Sequence, residues 1–389
     1  MRTRRFAIAA LCAWTAAAAD KLDPTLTVVL GGGAAAGFSG FRLLENEQNQ
    51  AWPAVAAKQM GTYISVPTMR ESPMTGVVNA YRPLAGLLPE IPQSGERALP
   101  FPFFAMNLSV PFMRTGDALR MRPTPRNDGL NLLTTVEGDI KATLFNAIVG
   151  GPLLTFQPPV LLTAADYVVA LNPTLLFVQL GFEDVSEAAA GGDASRITDP
   201  GSFGGDYLLL LNKLRTTDAT IVLMTVPDPT LTGYFSTLDD AARRYGGSAE
   251  ELRARFGLAA GDLLTLGGMV EVADSMRGRR GNTLSRGSVL PASIAASVRS
   301  AVNSYNESIR SLSAARKLEV FDLADFVRQV RTAGVRAGAV TVTGEYGGGF
   351  YSEDGIYPSA AGQALTANAV LQFLNSKFGT GFPLATVAQ

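Results

Sequence analysis

Continuous apolar runs alternate along the chain with stretches of helical periodicity. TLTVVL (25–30), TLLFVQL (174–180), ATIVLMTVPD (219–228) and LEVFDL (318–323) are runs of strand length. Apolar residues on both sides of the pleat mark strands buried on two faces. FFAMNLSV (103–110) is a further strand candidate. AWPAVAAKQM (51–60), LLTAADYVVALN (161–172), DYLLLLNKLRTTD (206–218), the long segment 291–317 and SAAGQALTANAVLQFLNSKF (359–378) read as helices. Pro173 stops the second of these and Gly379 closes the last. Strands alternating with helices predict an α/β fold with a parallel sheet covered on both faces. In such sheets ligands bind beyond the carboxyl ends of the strands. The turns at Gly31, Gly181 and Pro227 and the loop before Pro358 are therefore expected to gather at one edge. Residues 66–103 are rich in proline and glycine and read as an irregular excursion, and 236–291 as a polar, arginine-bearing insertion. No internal repeat is visible.

The N-terminus changes the picture of where such a fold would work. MRTRR precedes FAIAALCAWTAAAA, an apolar stretch too short to span a bilayer, ending in small residues before Asp20. This predicts a signal peptide over residues 1–19 and a single mature domain over 20–389, secreted or periplasmic. Leu11 stands where lipid attachment at Cys12 would want a small residue, so a lipoprotein is not expected. No later segment is apolar enough for a membrane helix. The formal net charge of −1, without a basic run, leaves no electrostatic footprint for nucleic acid.

Composition narrows the chemistry further. Cys12 is the only cysteine and the chain contains no histidine. Removal of the signal leaves no thiolate nucleophile, disulfide or cysteine metal site. Without histidine, neither Ser-His-Asp nor Cys-His catalysis is available.

Four blocks carry the candidate site. VVLGGGAAAGFSG (28–40) contains G-x-G-x-x-A after a strand, a pattern that also suits a dinucleotide phosphate turn. The polar GFSGFRLLENEQNQ that follows is unlike the helix such a turn needs, and no strand-end acid for a ribose lies about 20 residues on. No cofactor is expected. The other blocks are MNLSVPFMRTGD (106–117), LNPTLLFVQLGFEDV (171–185) and YSEDGIYPSAAGQALTANAV (351–370). Together and in this order they resemble the secreted SGNH (GDSL) hydrolase family, over residues 25–384. The resemblance implies a three-layer α/β/α, flavodoxin-like fold with a five-stranded sheet in the order 2-1-3-4-5. In it Gly32 falls at the family's Asp, Gly33 at the nucleophilic Ser, Phe112 at the oxyanion Gly, Glu183 at the oxyanion Asn and Tyr357 at the His, while Asp354 is retained. Gly31, Gly37, Pro111, Gly181, Asp184, Gly355 and Pro358 match scaffold positions.

Glycine has no nucleophile, and a tyrosine of ordinary pKa is a poor base at neutral pH. A charged Glu183 facing a developing oxyanion at ~4 Å would cost roughly 4 kcal/mol, about a thousandfold in rate. Phe112 is placed to fill the substrate carbonyl's space. For Asp184, and for Asp354 with Tyr357, structural hydrogen bonding is the expected use. A Glu183–Asp354 carboxylate pair for glycoside hydrolysis or a hard cation is a sharper alternative. Ser39 and Ser109 are nearby hydroxyls without an evident base. Phe101, Phe103, Phe104 and Phe112 would line an apolar groove or pack in the core. The reading is an inactive relative keeping a cleft for a small acyl, ester or glycan ligand, with ester hydrolysis by a non-standard nucleophile as the alternative.

Overall fold

The computed structural model describes residues 22–70, 96–97, 104–124, 140–150 and 160–387. Residues 1–19, with Cys12, and Phe101 and Phe103 lie outside these. The central sheet consists of β1 (Thr27–Gly31), β2 (Leu175–Gln179), β3 (Thr220–Met224) and β7 (Glu319–Phe321), all parallel and adjacent in that order. The expected strand at 103–110 is reduced to a single parallel bridge between Asn107 and Val29 on the outer side of β1. Hydrogen bonds Val29 N–H to Met106 O, Leu108 N–H to Val29 O and Val110 N–H to Gly31 O hold it there. The Asn107 side chain takes the Ser109 N–H at 3.2 Å and donates to Ala35 O at 2.8 Å. Counting this segment as the second position, the order is 2-1-3-4-5.

Alternate strand residues divide between two cores, as a pleat buried on both sides demands. Val28, Leu30, Leu176, Val178, Ile221 and Leu223 face one layer, built from α2 (Ala164–Leu171), α3 (Pro200–Leu214) and α7 (Ala292–Arg316). Val29, Leu175, Phe177, Val222 and Met224 face the other, built from α1 (Trp52–Gln59), α8 (Leu323–Thr332) and α9 (Ala360–Phe378). Thr163 caps α2 through a reciprocal bond with Asp166, and Gly379 closes α9 at φ 64°. The helix α8 and the antiparallel pair β8 (Val335–Ala337) and β9 (Val340–Val342) have no counterpart in the sequence reading. Helix α3 begins at Pro200, six positions before the apolar periodicity suggests, because Asp199 caps it.

The insertion is more ordered than its polar composition implies. It folds as β4 (Phe235–Ser236), α4 (Leu238–Tyr245), α5 (Ala249–Phe256), β5 (Leu263–Thr265), α6 (Leu266–Met276) and β6 (Val289–Leu290), with an antiparallel sheet β4-β5-β6. Its own small core holds Leu238, Ala241, Leu252, Leu264, Met269 and Val272.

Candidate functional site

The strand-to-helix turn after β1 delivers Gly32 and Gly33 to the carboxyl edge of the sheet, where Gly33 opens a single helical turn, Gly33–Ala36. The turn after β2 delivers Glu183. Gly181 makes that turn possible: its φ is 110° and a Cβ there would lie 2.5 Å from Val226 Cγ2. The loop before α9 delivers Asp354 and Tyr357. The three turns converge as expected, and Gly33, Glu183 and Tyr357 form one hydrogen-bonded cluster.

Glu183 is its centre. Its Oε1 accepts the Gly33 N–H at 3.0 Å and the Tyr357 hydroxyl at 2.9 Å, and its Oε2 accepts the Ser186 hydroxyl at 3.2 Å. Glu183 is only 4% exposed and Tyr357 is fully buried. Burial pushes the Glu183 carboxyl above its ordinary pKa, against the opposing pull of the Gly33 N–H, Tyr357 and Ser186 donors. The N–H that opens a helical turn is an anion donor. Here a side-chain carboxyl of the chain itself occupies it. Glu183 therefore holds the Gly33 N–H itself.

Tyr357 fills the other half of the site. A Cβ built on Gly33 would meet Tyr357 Cε1 at 2.5 Å, Cζ at 2.7 Å and the hydroxyl at 2.9 Å. A Cβ on Gly32 would meet Glu183 Oε1 at 2.9 Å. The space beside both glycines is therefore taken by the two residues they face. Tyr357 is wedged between Phe38 and Phe182, with ring centroids at 5.1 and 6.2 Å.

Three expectations are corrected. Phe112 does not border the cavity beside Gly33; its ring packs edge-on against Phe38 at 5.5 Å, and Phe38 in turn packs against Tyr357. It retains a glycine-like φ of 67°, a left-handed conformation that costs a bulky residue roughly 1–2 kcal/mol. Glu183 and Asp354 do not form a pair. Asp354 Oδ1 accepts the Ile356 and Tyr357 N–H groups, both at 2.8 Å, and Oδ2 accepts the Phe41 N–H at 3.4 Å. Asp354 is a buried turn brace bonded to the Tyr357 backbone rather than to its phenol. Third, the cleft is narrow. Its cavity measures about 50 Å³, bordered by Gly33, Trp52, Phe182, Glu183, Tyr351 and Tyr357 among others. That is room for a few waters, well below the roughly 300–1,000 Å³ of small-molecule pockets.

Asp184 behaves as expected, its Oδ2 accepting the Thr115 N–H at 3.0 Å and hydroxyl at 2.9 Å. Among the described residues Ser109 Oγ is buried without a hydrogen-bond partner or a base, and Ser39 lies in a tight turn with Arg42. Phe104 is exposed, its ring 6.4 Å from Tyr167. Among the described residues no group of histidine, cysteine or acidic side chains could hold a metal, and no helix is long and apolar enough to cross a membrane. Ser186, the third donor to Glu183, and Phe38, the wall behind Tyr357, were not distinguishable in the sequence.

No family model and no curated protein matches this chain. Solved structures do. An extracellular lipase from Streptomyces rimosus is 13% identical, with 90% of this chain and 99% of that one covered at a TM-score of 0.37. Phospholipase A1 from Streptomyces albidoflavus NA297 is 13% identical, with 90% and 98% covered at 0.36. TesA is 12% identical, with 90% and 98% covered at 0.35.

Proposed function

We propose that this chain is an exported, catalytically silent relative of the SGNH ester hydrolases. The single observation that carries this reading is the occupied position beside Gly33: the Tyr357 ring fills the volume a side chain at 33 would need, and its hydroxyl bonds Glu183. Acyl transfer requires an attacking group, a base in reach and free donors for the oxyanion. At this site the attacker is missing, Tyr357 donates its hydroxyl to a carboxyl instead of accepting a proton, and the Gly33 N–H is engaged.

A ligand-binding role for the residual cleft is confined by its size. The cavity of about 50 Å³ has mostly apolar walls, including Trp52, Leu180, Phe182, Val226 and Ile356. Only the tip of an acyl, ester or glycan group fits unless Tyr357 swings aside. Export rests on residues 1–19, and N-terminal sequencing of protein recovered outside the cytoplasm should begin at Asp20.

The deciding measurement is hydrolysis of short p-nitrophenyl esters by the mature protein, with Tyr357→Phe and Glu183→Gln as comparisons, together with labelling by a serine-reactive fluorophosphonate. All three proteins should match the buffer rate and remain unlabelled. Saturable turnover in the native protein that either substitution abolishes would establish a non-standard hydrolase and end the proposal.

A further inference from the structure

A second cavity, of about 210 Å³, lies where the insertion meets the core. It is about four times the size of the cleft beside Gly33 and shares no lining residue with it. Asp240, Arg243 and Arg244 reach it from α4, Arg331 from α8, and Glu345 and Tyr346 from the loop after β9. Arg331 and Asp240 form an ion pair at 2.7 Å in its lining, with side chains 14% and 15% exposed.

The hydrogen-bond inventory is unbalanced in one direction. Asp240 Oδ2 accepts Arg331 and the Thr237 N–H at 2.8 Å, and Oδ1 accepts Arg243. Glu345 accepts Arg243 at 3.2 Å. Both carboxylates are therefore engaged. Arg331 gives one further bond, to Gly344 O, and Arg244 has no partner among the described residues. Three guanidinium groups against two carboxylates leave one positive charge in excess along the cavity's lining. Guanidinium forks match the oxygens of phosphate and carboxylate groups in a two-pronged geometry. Tyr346, 37% exposed on the rim, supplies a ring face for a flat apolar portion.

We propose that this cavity is a binding site for a small molecule carrying an oxyanion, a phosphate monoester or a carboxylate, next to a planar apolar group. Arg244 is its principal free donor, Arg331 and Arg243 are held in place by Asp240, and Tyr346 covers the apolar part. An occupant would bridge the insertion and the core through α4 and α8. The site is independent of the narrow cleft beside Gly33, so its test stands whether or not the protein hydrolyses esters.

The test is calorimetric titration of the mature protein at low ionic strength with inorganic phosphate, phenyl phosphate and benzoate. Phenyl phosphate or benzoate should bind saturably at one site and more tightly than inorganic phosphate; the stronger of the two identifies the oxyanion. Arg244→Ala should weaken that binding by about tenfold. Tyr346→Ser should bring phenyl phosphate down toward inorganic phosphate. Arg286→Ala, an exposed arginine outside this cavity, should leave binding unchanged. Neither Arg244 nor Tyr346 is buried, and circular dichroism should show all variants folded. Absence of saturable heat for all three probes overturns the proposal, as does equal weakening by Arg244→Ala and Arg286→Ala.

Discussion

Restoring a serine at position 33 ought to damage the protein instead of reviving it. The Gly33 backbone is not in the left-handed region, so the residue is not glycine for conformational reasons. Its side-chain space is simply occupied. Carbon–carbon contacts relax at about 3.5–4.0 Å, so a Cβ at 2.5 Å from Tyr357 Cε1 requires the ring to retreat by roughly 1 Å. Phe38 and Phe182 stand against the ring, and a shift of that size breaks the 2.9 Å bond to Glu183. Overpacking costs about 1–3 kcal/mol and an orphaned bond to a buried acid about 1–3 kcal/mol, so Gly33→Ser should destabilise by roughly 2–6 kcal/mol. Urea unfolding reads this as a lower midpoint at unchanged slope. Tyr357→Ala is itself costly, about 3–5 kcal/mol for an emptied aromatic site, but it vacates the contested volume. In that background Gly33→Ser should cost less than about 1 kcal/mol, a coupling of at least about 1–2 kcal/mol. If the two substitutions add within about 0.5 kcal/mol, or Gly33→Ser is as stable as the parent, the ring does not fill the site and the reasoning fails.

Other consequences are open to simpler measurements. Glu183 has a native pKa raised by burial, so between the ordinary carboxylate value and the raised one the native state holds a proton that the unfolded chain releases. Stability should therefore fall as pH rises through that window. Glu183→Gln should gain on the parent over the same window, and a difference that does not change with pH would exclude it. Asp240 runs the other way: burial raises its pKa, but the Thr237 N–H and the neighbouring arginines outweigh this and lower it. Its stabilisation is present above the ordinary carboxylate value and should be lost as acid titrates it, with Asp240→Asn removing that acid limb of the stability curve. Phe112→Gly should be more stable than Phe112→Ala by about 0.5–1 kcal/mol, because both lose the ring contact with Phe38 and only glycine relaxes at φ 67°; thermal unfolding of the pair gives the order. Asp354→Ala should cost roughly 2–4 kcal/mol by orphaning the Ile356 and Tyr357 N–H groups, and Asp354→Asn clearly less, since its carbonyl oxygen can still accept.

What the sequence by itself determined was the frame and the inventory of side chains. Apolar runs at 25–30, 174–180, 219–228 and 318–323 became β1, β2, β3 and β7, because a strand buried on both faces has no other pattern available to it. The absence of histidine and of a nucleophile at Gly33 followed from residue identity alone. Elements stabilised mainly by neighbours were less legible. The segment 104–110 kept strand composition but forms a single bridge to β1, and the insertion drew its order from a six-residue core scattered over sequence. Only the tertiary structure decided what stands beside Gly33. Gly33, Glu183 and Tyr357 stand 150 and 174 positions apart in the chain, so neither spacing nor periodicity encodes their contact. Their partners are set by how three turns converge at the sheet edge. That convergence turned Glu183 onto the Gly33 N–H, drew Phe112 back behind Phe38, and kept Asp354 on backbone N–H groups away from Glu183. Side-chain direction at a sheet edge follows from turn geometry and packing, which one-dimensional pattern does not carry.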